Sequence, residues 1–207
     1  DILKGLLHAN VVTFYEIGEE GGTPYLAMEY LEGRPIGSYA GHAFVETLPL
    51  LIQAANGMEY LASRGIVHRD LSPDNVFVVE SGGEKTVKLL DFGIAKLVED
   101  EGALAESTDL TREWGRALTP EYAAPEQLRG EAVTTATDVY ALGVLLYELL
   151  SGRLPYPGRR RSATGTLAPL PEAAPMRPSL AVTDPALRRR LGGDLDTITL
   201  RAMKPDA

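Results

Sequence analysis

The sequence has no cysteine, only three histidines, and aromatic residues make up just 7% of its 207 positions. Without cysteine it can form neither a disulfide framework nor a thiolate metal site, which is compatible with a reducing cytoplasm. It has no signal peptide and no apolar run near the roughly eighteen residues that a membrane-spanning helix needs. We therefore expect a cytoplasmic location and no membrane contact from this segment, while an anchor elsewhere in a longer parent stays open.

The chain also has little positive charge, with 20 Lys and Arg against 29 Asp and Glu and a net charge of −9. A nucleic acid partner would require a basic surface, so we expect none. The arginine runs at residues 159–161 and 188–190 are interpreted as solvated charge in loops or at helix ends. With 44% apolar residues, a chain of this length can bury about 70% of its unfolded surface, which predicts one compact domain or most of one.

Three short motifs are present, in a fixed order. Residues 68–75 read HRDLSPDN, residues 91–93 read DFG, and residues 124–126 read APE. Each is weak alone, but their ordered agreement is specific. Phosphoryl transfer needs one carboxylate to orient the attacking hydroxyl and further oxygen ligands to hold magnesium. Asp70, Asn75 and Asp91 are the residues that fit those roles.

Strand and helix patterns place these motifs in the chain. Residues 11–17 and 25–30 predict two strands joined by a turn at 21–24, and residues 76–79 and 87–90 predict a hairpin around Ser81-Gly82-Gly83-Glu84. This hairpin would bring Asn75 and Asp91 side by side.

Two helices are also predicted. One starts at a Thr47 cap with Pro49 in its first turn, and ends at Gly65. Its predicted apolar face consists of Leu51, Ile52, Ala55, Met58 and Ala62. The other covers residues 135–150, with Thr135 and Asp138 at capping-box spacing and Gly152 beyond its end. The proline-rich stretch from Pro155 to Pro185 predicts a loop, before helical periodicity returns at 194–198.

The motifs resemble the eukaryotic-like (Hanks-type) serine/threonine protein kinases of bacteria, from about Leu6 to Met203. LHANVV at residues 7–12 and AMEYLEG at 27–33 extend the resemblance upstream, although Ala9 stands where proline is usual. The resemblance implies an α+β, protein-kinase-like fold with a mainly helical C-lobe. Residues 1–33 would be a partial N-lobe, its fourth and fifth strands with the hinge, and residues 34–207 a C-lobe truncated before its last helix.

The resemblance also implies ATP and Mg²⁺ as cofactors and protein substrates that offer Ser or Thr. Asp70 would be the catalytic carboxylate, Asn75 and Asp91 the metal ligands, and Thr119 and Pro73 the residues that favour Ser/Thr over Tyr. Phe14, His68 and Phe92 match an apolar stack between the lobes, and Asp138 matches an aspartate that bonds the backbone of the catalytic loop. Nucleotide contacts would come from the gatekeeper Met28, the hinge backbone at Glu29 and Leu31, and the cleft floor at Val76, Phe77 and Val78.

In the family, an arginine at the position of Arg69 goes with control by activation-loop phosphorylation. Ser107, Thr108 and Thr111 are candidate sites, and the sequence selects none of them. Ser72 departs from the family pattern, which has a lysine there that supplies positive charge to the transferring phosphate.

Three parts that a kinase needs do not occur in the 207 residues: a glycine-rich loop, a lysine on the third strand and a glutamate on helix C. We therefore expect a fragment whose partner is the missing N-lobe of the same chain, and which is inactive alone. Two alternatives stay open: a regulatory pseudokinase or scaffold, and a small-molecule phosphotransferase. The intact Asp70, Asn75 and Asp91 weigh against the first, and the APE motif with Asp138 weighs against the second.

Overall fold

The computed structural model describes residues 5–21, 23–92, 119–157 and 174–204. Two small antiparallel sheets combine with helices, most of which come after the strands in the chain, which is the expected α+β arrangement. No helix in these ranges is long and apolar enough to cross a membrane. The elements in chain order are strands β1 (Phe14–Glu20), β2 (Thr23–Met28) and β3 (Gly33–Pro35), helix α1 (Phe44–Ser63), strands β4 (Val76–Ser81) and β5 (Glu84–Leu89), and helices α2 (Pro125–Arg129), α3 (Thr135–Ser151), α4 (Pro178–Ala181), α5 (Pro185–Leu191) and α6 (Asp194–Ala202).

Strands β1 and β2 form a two-stranded sheet that leads into the segment before β3. Gly18 pairs with Tyr25, and a Cβ atom at Gly18 would come within 2.5 Å of the tyrosine ring, so a larger residue there would have to displace that ring. The predicted hairpin is confirmed, but its turn is tighter than expected. Gly21 has a positive φ of 60°, and β2 already begins at Thr23.

Strands β3, β4 and β5 form the second sheet, and the hairpin predicted between β4 and β5 is confirmed. Gly82 and Gly83 have φ values of 59° and 86°, the left-handed conformations that a two-residue type I′ turn requires. One face of the hairpin is apolar and packs against α1. The fully buried side chains of that face are Val76, Val78, Val87 and Leu89.

Helix α1 differs from its prediction in two respects. It starts at Phe44, one turn before the predicted cap, and Thr47 is buried within the helix, where its hydroxyl donates to the Phe44 carbonyl. The buried face consists of Thr47, Leu50, Leu51, Ala54, Gly57, Met58 and Leu61, whereas the predicted members Ile52 and Ala62 are exposed. The face is rotated because Gly57 lies against the Asn10 carbonyl and Leu89, where no larger side chain fits.

Helix α3 lies in the centre of the apolar core, as its sequence predicts. Its cap is Thr134, whose side chain accepts from the Ala136 N–H and which forms a capping box with Thr137, one residue earlier than the predicted Thr135 and Asp138 pair. Asp138 cannot serve in the cap because its carboxylate is bonded elsewhere, to the backbone of His68 and Arg69. Gly152 ends the helix with φ 69°, as expected.

The segment predicted as an irregular proline-rich loop contains the four-residue helix α4 and leads into α5, which begins at Pro185. Proline is tolerated there because both helices carry it in their first turn. Helix α6 confirms the predicted return of helical periodicity, and it packs on α3 where a Cβ atom at Gly143 would lie 2.8 Å from the Ala202 Cβ. Gly93, Ser107, Thr108, Thr111 and the arginines at 159–161 lie outside the described residues.

Candidate active site

The segment from His68 to Asn75 connects α1 to β4, and a residue of α3 holds it by hydrogen bonds. The two carboxylate oxygens of Asp138 accept from the His68 N–H at 2.7 Å and from the Arg69 N–H at 2.9 Å. Arg69 has a φ of 72°, a left-handed conformation that a residue with a Cβ atom adopts only when its surroundings impose it. The anchoring by Asp138 therefore fixes a strained backbone immediately before Asp70.

Asp70 is held in one orientation by two neighbours. Its Oδ1 accepts from the Thr119 N–H at 3.0 Å and from the Thr119 hydroxyl at 3.2 Å. Asn75 Nδ2 donates to the Asp70 carbonyl at 2.8 Å and lies 3.4 Å from its Oδ2. Burial raises the pKa of Asp70, the bonds from Thr119 and Asn75 act to lower it, and the negative charge of Asp91 raises it further.

Asn75 and Asp91 are brought together by the hairpin, as the sequence predicts. Val76 pairs with Leu89, and the Leu90 N–H donates to the Asn75 carbonyl at 2.9 Å, so the residues before β4 and after β5 are neighbours. Asp91 has φ 51°. Although Asp91 is exposed as a residue, the surrounding protein removes enough water from its carboxylate to raise its pKa.

These two side chains suit a magnesium ion. The Asn75 amide nitrogen is turned towards Asp70, which leaves its carbonyl oxygen as a ligand, and Asp91 supplies a carboxylate oxygen. Mg²⁺ prefers such hard oxygen donors and usually takes one or two from the protein, with phosphate and water completing its shell. The described residues contain no group of three acidic, histidine or cysteine side chains that could hold a metal by itself.

An apolar column stands behind the site. The rings of Phe14 and Phe92 meet edge to face with centroids 5.4 Å apart, and the His68 ring lies 6.2 Å from Phe92. Burial lowers the pKa of His68 to about 4, although backbone groups at His68 and Leu90 act in the opposite direction. The imidazole is therefore neutral at physiological pH and acts as a packing group, in edge-to-face contact with the Phe92 ring.

The predicted nucleotide residues fall into two groups. Met28 at the end of β2 and Leu31 just beyond it are partly buried against the core. Between them, the Glu29 N–H donates to the Thr13 carbonyl at 2.9 Å. On β4, Val76 and Val78 are fully buried, whereas Phe77 faces the other side of the sheet and is partly exposed.

Ser72 is only 1% exposed. It therefore has no access to a substrate phosphate and does not replace the lysine that the family pattern has at this position.

Sequence reasoning missed Gln127. Its Nε2 donates to the Arg69 carbonyl at 2.6 Å, and its Oε1 accepts from the Ala124 N–H at 2.9 Å. A glutamine at the third position of a helix is a known capping signal, and the spacing from Ala124 to Gln127 offered that signal. The contact with Arg69, 58 residues away, had no signal in the sequence.

Acidic side chains lie around Tyr122, which lines a depression together with Asp70, and the sequence reasoning did not predict them. The Tyr122 hydroxyl donates to the Glu148 carboxylate on α3. Burial raises the pKa of Glu148, the bond from Tyr122 acts against this, and the charges of Asp74 and Glu121 raise it again. These acidic groups therefore lie close enough to influence one another.

Comparison with known proteins gives the family of the chain. A family model described as the protein kinase domain matches residues 1–173. The chain is 38% identical over 214 residues to the serine/threonine-protein kinase pkn2 of Myxococcus xanthus, covering 100% of this chain and 24% of that protein. It is also 38% identical over 188 residues to the serine/threonine-protein kinase PkaA of Streptomyces coelicolor, covering 89% of this chain and 33% of that protein.

A solved structure of similar fold is the PknI kinase domain of Mycobacterium tuberculosis. It superposes with a TM-score of 0.68 at 27% identity, over 99% of this chain and 67% of that one. Fold and site together define an α+β protein-kinase-like structure. The chain belongs to the protein kinase family, and within it to the bacterial Hanks-type serine/threonine kinases. It spans about a quarter to a third of the length of these curated relatives.

Proposed function

We propose that the complete protein transfers the terminal phosphoryl group of ATP to Ser or Thr hydroxyls of protein substrates. The observation that carries this proposal is the convergence of Asp70, Asn75 and Asp91 at one end of the β4–β5 hairpin, with Asp70 oriented by Thr119. The names of the relatives, which are serine/threonine-protein kinases, support it.

The role of Asp70 follows from its geometry. Thr119 occupies Oδ1 through two hydrogen bonds, so Oδ2 is the better placed oxygen to accept the proton of an incoming hydroxyl. Such positioned proton acceptance contributes about 10²- to 10⁴-fold to a rate. Asp70 has a raised pKa, which makes it a better proton acceptor than an ordinary carboxylate.

Asn75 and Asp91 would hold the magnesium ion. Magnesium ATP would supply the phosphoryl group when bound, and the metal would neutralise part of the charge that develops during transfer. The chain's own contribution is to place both oxygen ligands where the hairpin begins and ends, next to the carboxylate that receives the proton. Arg69 is proposed to receive a phosphate on the activation segment, for which Ser107, Thr108 and Thr111 are the candidates.

For the nucleotide, we propose that adenine lies between the hinge and β4. The hinge would contribute the backbone of Glu29 and Leu31, with Met28 as the gatekeeper. Phe77 is the β4 residue proposed for the contact, because Val76 and Val78 are already fully buried by the protein itself. We further propose that residues 1–33 belong to the N-lobe and hinge and residues 34–207 to the C-lobe.

The test is an assay of the complete gene product with radiolabelled ATP, Mg²⁺ and a general protein substrate. Asp70→Asn is expected to lower incorporation into Ser and Thr by at least about a hundredfold, while the exposed control Asp194→Asn retains it. Phosphorylation of an aminoglycoside but of no protein would indicate a small-molecule phosphotransferase. ATP binding without transfer, unaffected by Asp70→Asn, would indicate a pseudokinase.

Activity also requires a glycine-rich loop, a lysine and a helix-C glutamate, for which residues 1–207 have no counterpart. We propose that the complete gene product supplies them as an N-lobe packed on β1 and β2. The reading frame upstream of Asp1 tests this directly, and an upstream lobe without the lysine would favour the pseudokinase.

A further inference from the structure

The amide group of Gln127 connects two parts of the site that are distant in sequence. Its Oε1 accepts from the Ala124 N–H at the start of α2, and its Nε2 donates to the Arg69 carbonyl. The two partners determine which amide atom is which, since a backbone N–H can only donate and a carbonyl can only accept. Gln127 therefore joins α2 to the loop that carries Asp70.

The carbonyl that Gln127 binds belongs to the strained residue of that loop. Arg69 has φ 72°, and its N–H is held by Asp138 Oδ1 at 2.9 Å. Its C=O is held by Gln127 Nε2 at 2.6 Å. Asp138 fixes the peptide unit before Arg69, and Gln127 fixes the peptide unit after it, which includes the backbone nitrogen of Asp70. Both peptide units that flank the left-handed residue are thereby anchored by side chains.

The segment that contains Gln127 also holds the catalytic carboxylate. Thr119 donates its N–H and its hydroxyl to Asp70 Oδ1. Residues 119–127 consequently contact two consecutive residues of the loop, the Asp70 side chain through Thr119 and the Arg69 backbone through Gln127. Residues 69–71 line a shared depression with Thr119, Tyr122, Ala123 and Gln127.

We propose that Gln127 is a positioning residue for phosphoryl transfer, which keeps the carboxylate of Asp70 aligned with residues 119–127 by holding the Arg69 carbonyl. This inference rests on the proposed kinase activity and adds a residue to it. Gln127 does not touch substrate or nucleotide in this role. Its loss should therefore lower kcat and leave the KM for ATP unchanged, because only the geometry of the reacting groups is altered.

Two substitutions separate this role from simple helix capping. Gln127→Glu keeps an oxygen for the Ala124 N–H, but has no donor and places a carboxylate oxygen against the Arg69 carbonyl. Gln127→Met is similar in size and uncharged, and it loses both bonds. The matched control is Arg129→Met on the exposed end of α2, where the guanidinium contacts Glu131.

The variants are made in the complete gene product, and three quantities are measured: kcat and KM for ATP, the melting temperature, and hydrogen exchange of the peptide covering residues 66–75. We expect both Gln127 variants to lower kcat about tenfold or more, with KM for ATP within about twofold. Exchange in 66–75 should become faster in both. The melting temperature should fall in both Gln127 variants, and Arg129→Met should match the wild type throughout.

Other outcomes overturn the proposal. A kcat that falls in Gln127→Met but not in Gln127→Glu would assign the effect to the helix cap. Wild-type kcat in both variants, or unchanged exchange in residues 66–75, would show that the Arg69 contact does not position the loop. Failure of the proposed function would look different, because the wild-type protein would then show no phosphoryl transfer that Asp70→Asn abolishes. The exchange data would still decide whether Gln127 orders the loop.

Discussion

The Lys88 ammonium group lies 2.6 Å from Glu29 Oε1 and ties strand β5 to the segment that follows β2. Both side chains are largely buried, at 16% and 21% exposed. Glu29 Oε1 also accepts from the Thr13 N–H at 2.8 Å, and Lys88 Nζ reaches the Val11 carbonyl at 3.4 Å. This pair therefore connects both strands of the first sheet to the hairpin that carries Asp91.

Replacing Lys88 with methionine should destabilise residues 1–207 by about 1–2 kcal/mol. This lies between the small effect of exposed ion pairs and the 3–5 kcal/mol of fully buried ones. Urea unfolding measures the change, and Lys204→Met, at an exposed lysine, is the control. A double-mutant cycle with Glu29→Gln, which keeps an acceptor for Thr13, should give a favourable coupling energy. A coupling energy of zero would contradict a structural role for the pair.

The same pair predicts a pH dependence. Burial acts to raise the pKa of Glu29, but the bonds from Lys88 and Thr13 and the Lys88 charge outweigh it, and the net pKa is lowered from 4.5. A carboxylate with a lowered pKa contributes stability above its unfolded pKa and loses it as the pH falls through its folded pKa. The difference in unfolding free energy between wild type and Lys88→Met should thus be constant above about pH 5 and shrink in more acidic solution.

Gln53 on α1 satisfies the backbone of strand β5. Its Oε1 accepts from the Val87 N–H at 2.9 Å and from Asn10 Nδ2 at 3.1 Å, and its Nε2 donates to the Lys85 carbonyl at 3.1 Å. Gln53→Met leaves a buried N–H without a partner, which should cost about 2–3 kcal/mol in unfolding free energy. Asn56→Met places the same side chain at an exposed position of α1 and should change stability little. Equal effects of the two substitutions would show that β5 does not need these bonds.

The parts of the site that the sequence predicted are those held by local structure. Asn75 and Asp91 are brought together by a hairpin whose register follows from Gly82, Gly83 and the alternation of valines, all within about twenty residues. The spacing of HRDLSPDN and DFG was therefore enough to predict these neighbours.

The parts that were wrong or missed depend on contacts between distant segments. Helix α1 starts at Phe44 and passes the capping signal at Thr47. The contact of Gly57 with Asn10 and Leu89 limits which face of the helix is buried. The bond between Gln127 and Arg69 spans 58 residues, and no local preference encodes it. Propensities and periodicity report on neighbours in sequence, and they carry no information about such pairs.

Thr119 should control the ionisation of Asp70. Its hydroxyl is one of the groups that act to lower the pKa of Asp70 against the effect of burial. Thr119→Val removes the hydroxyl and keeps the N–H, so the pKa of Asp70 should rise, and the acidic limb of kcat/KM should move to higher pH. At neutral pH we expect roughly a tenfold loss of kcat/KM, because the carboxylate also loses one of the two Thr119 bonds that orient it.

Thr119→Ser keeps the hydroxyl and is the matched control. Its pH profile should coincide with that of the wild type in the complete gene product. An unshifted acidic limb in Thr119→Val would contradict the assignment of Asp70 as the group that must be ionised.

The raised pKa of Asp138 predicts that its contribution to stability depends on pH in the opposite direction to that of Glu29. Burial raises the pKa of Asp138 to about 6 from 3.8, although the bonds from His68 and Arg69 and the Arg69 charge act to lower it. A group with a raised folded pKa contributes stability that is complete below its unfolded pKa and is lost as the pH rises through its folded pKa. The unfolding free energy of the wild type relative to Asp138→Asn should therefore decrease between about pH 4 and pH 6, by at most about 3 kcal/mol, and stay constant above pH 7.

Asparagine at position 138 also has a consequence for activity. Its single carbonyl oxygen can accept from His68 or from Arg69, but not from both, and its NH₂ group would face the remaining N–H. The left-handed Arg69 then loses one of its two anchors, and kcat should fall even at a pH where stability is unchanged. If the difference in unfolding free energy between wild type and Asp138→Asn stayed constant from pH 4 to pH 7, the pKa of Asp138 would not be raised. Burial would then not outweigh its two backbone hydrogen bonds.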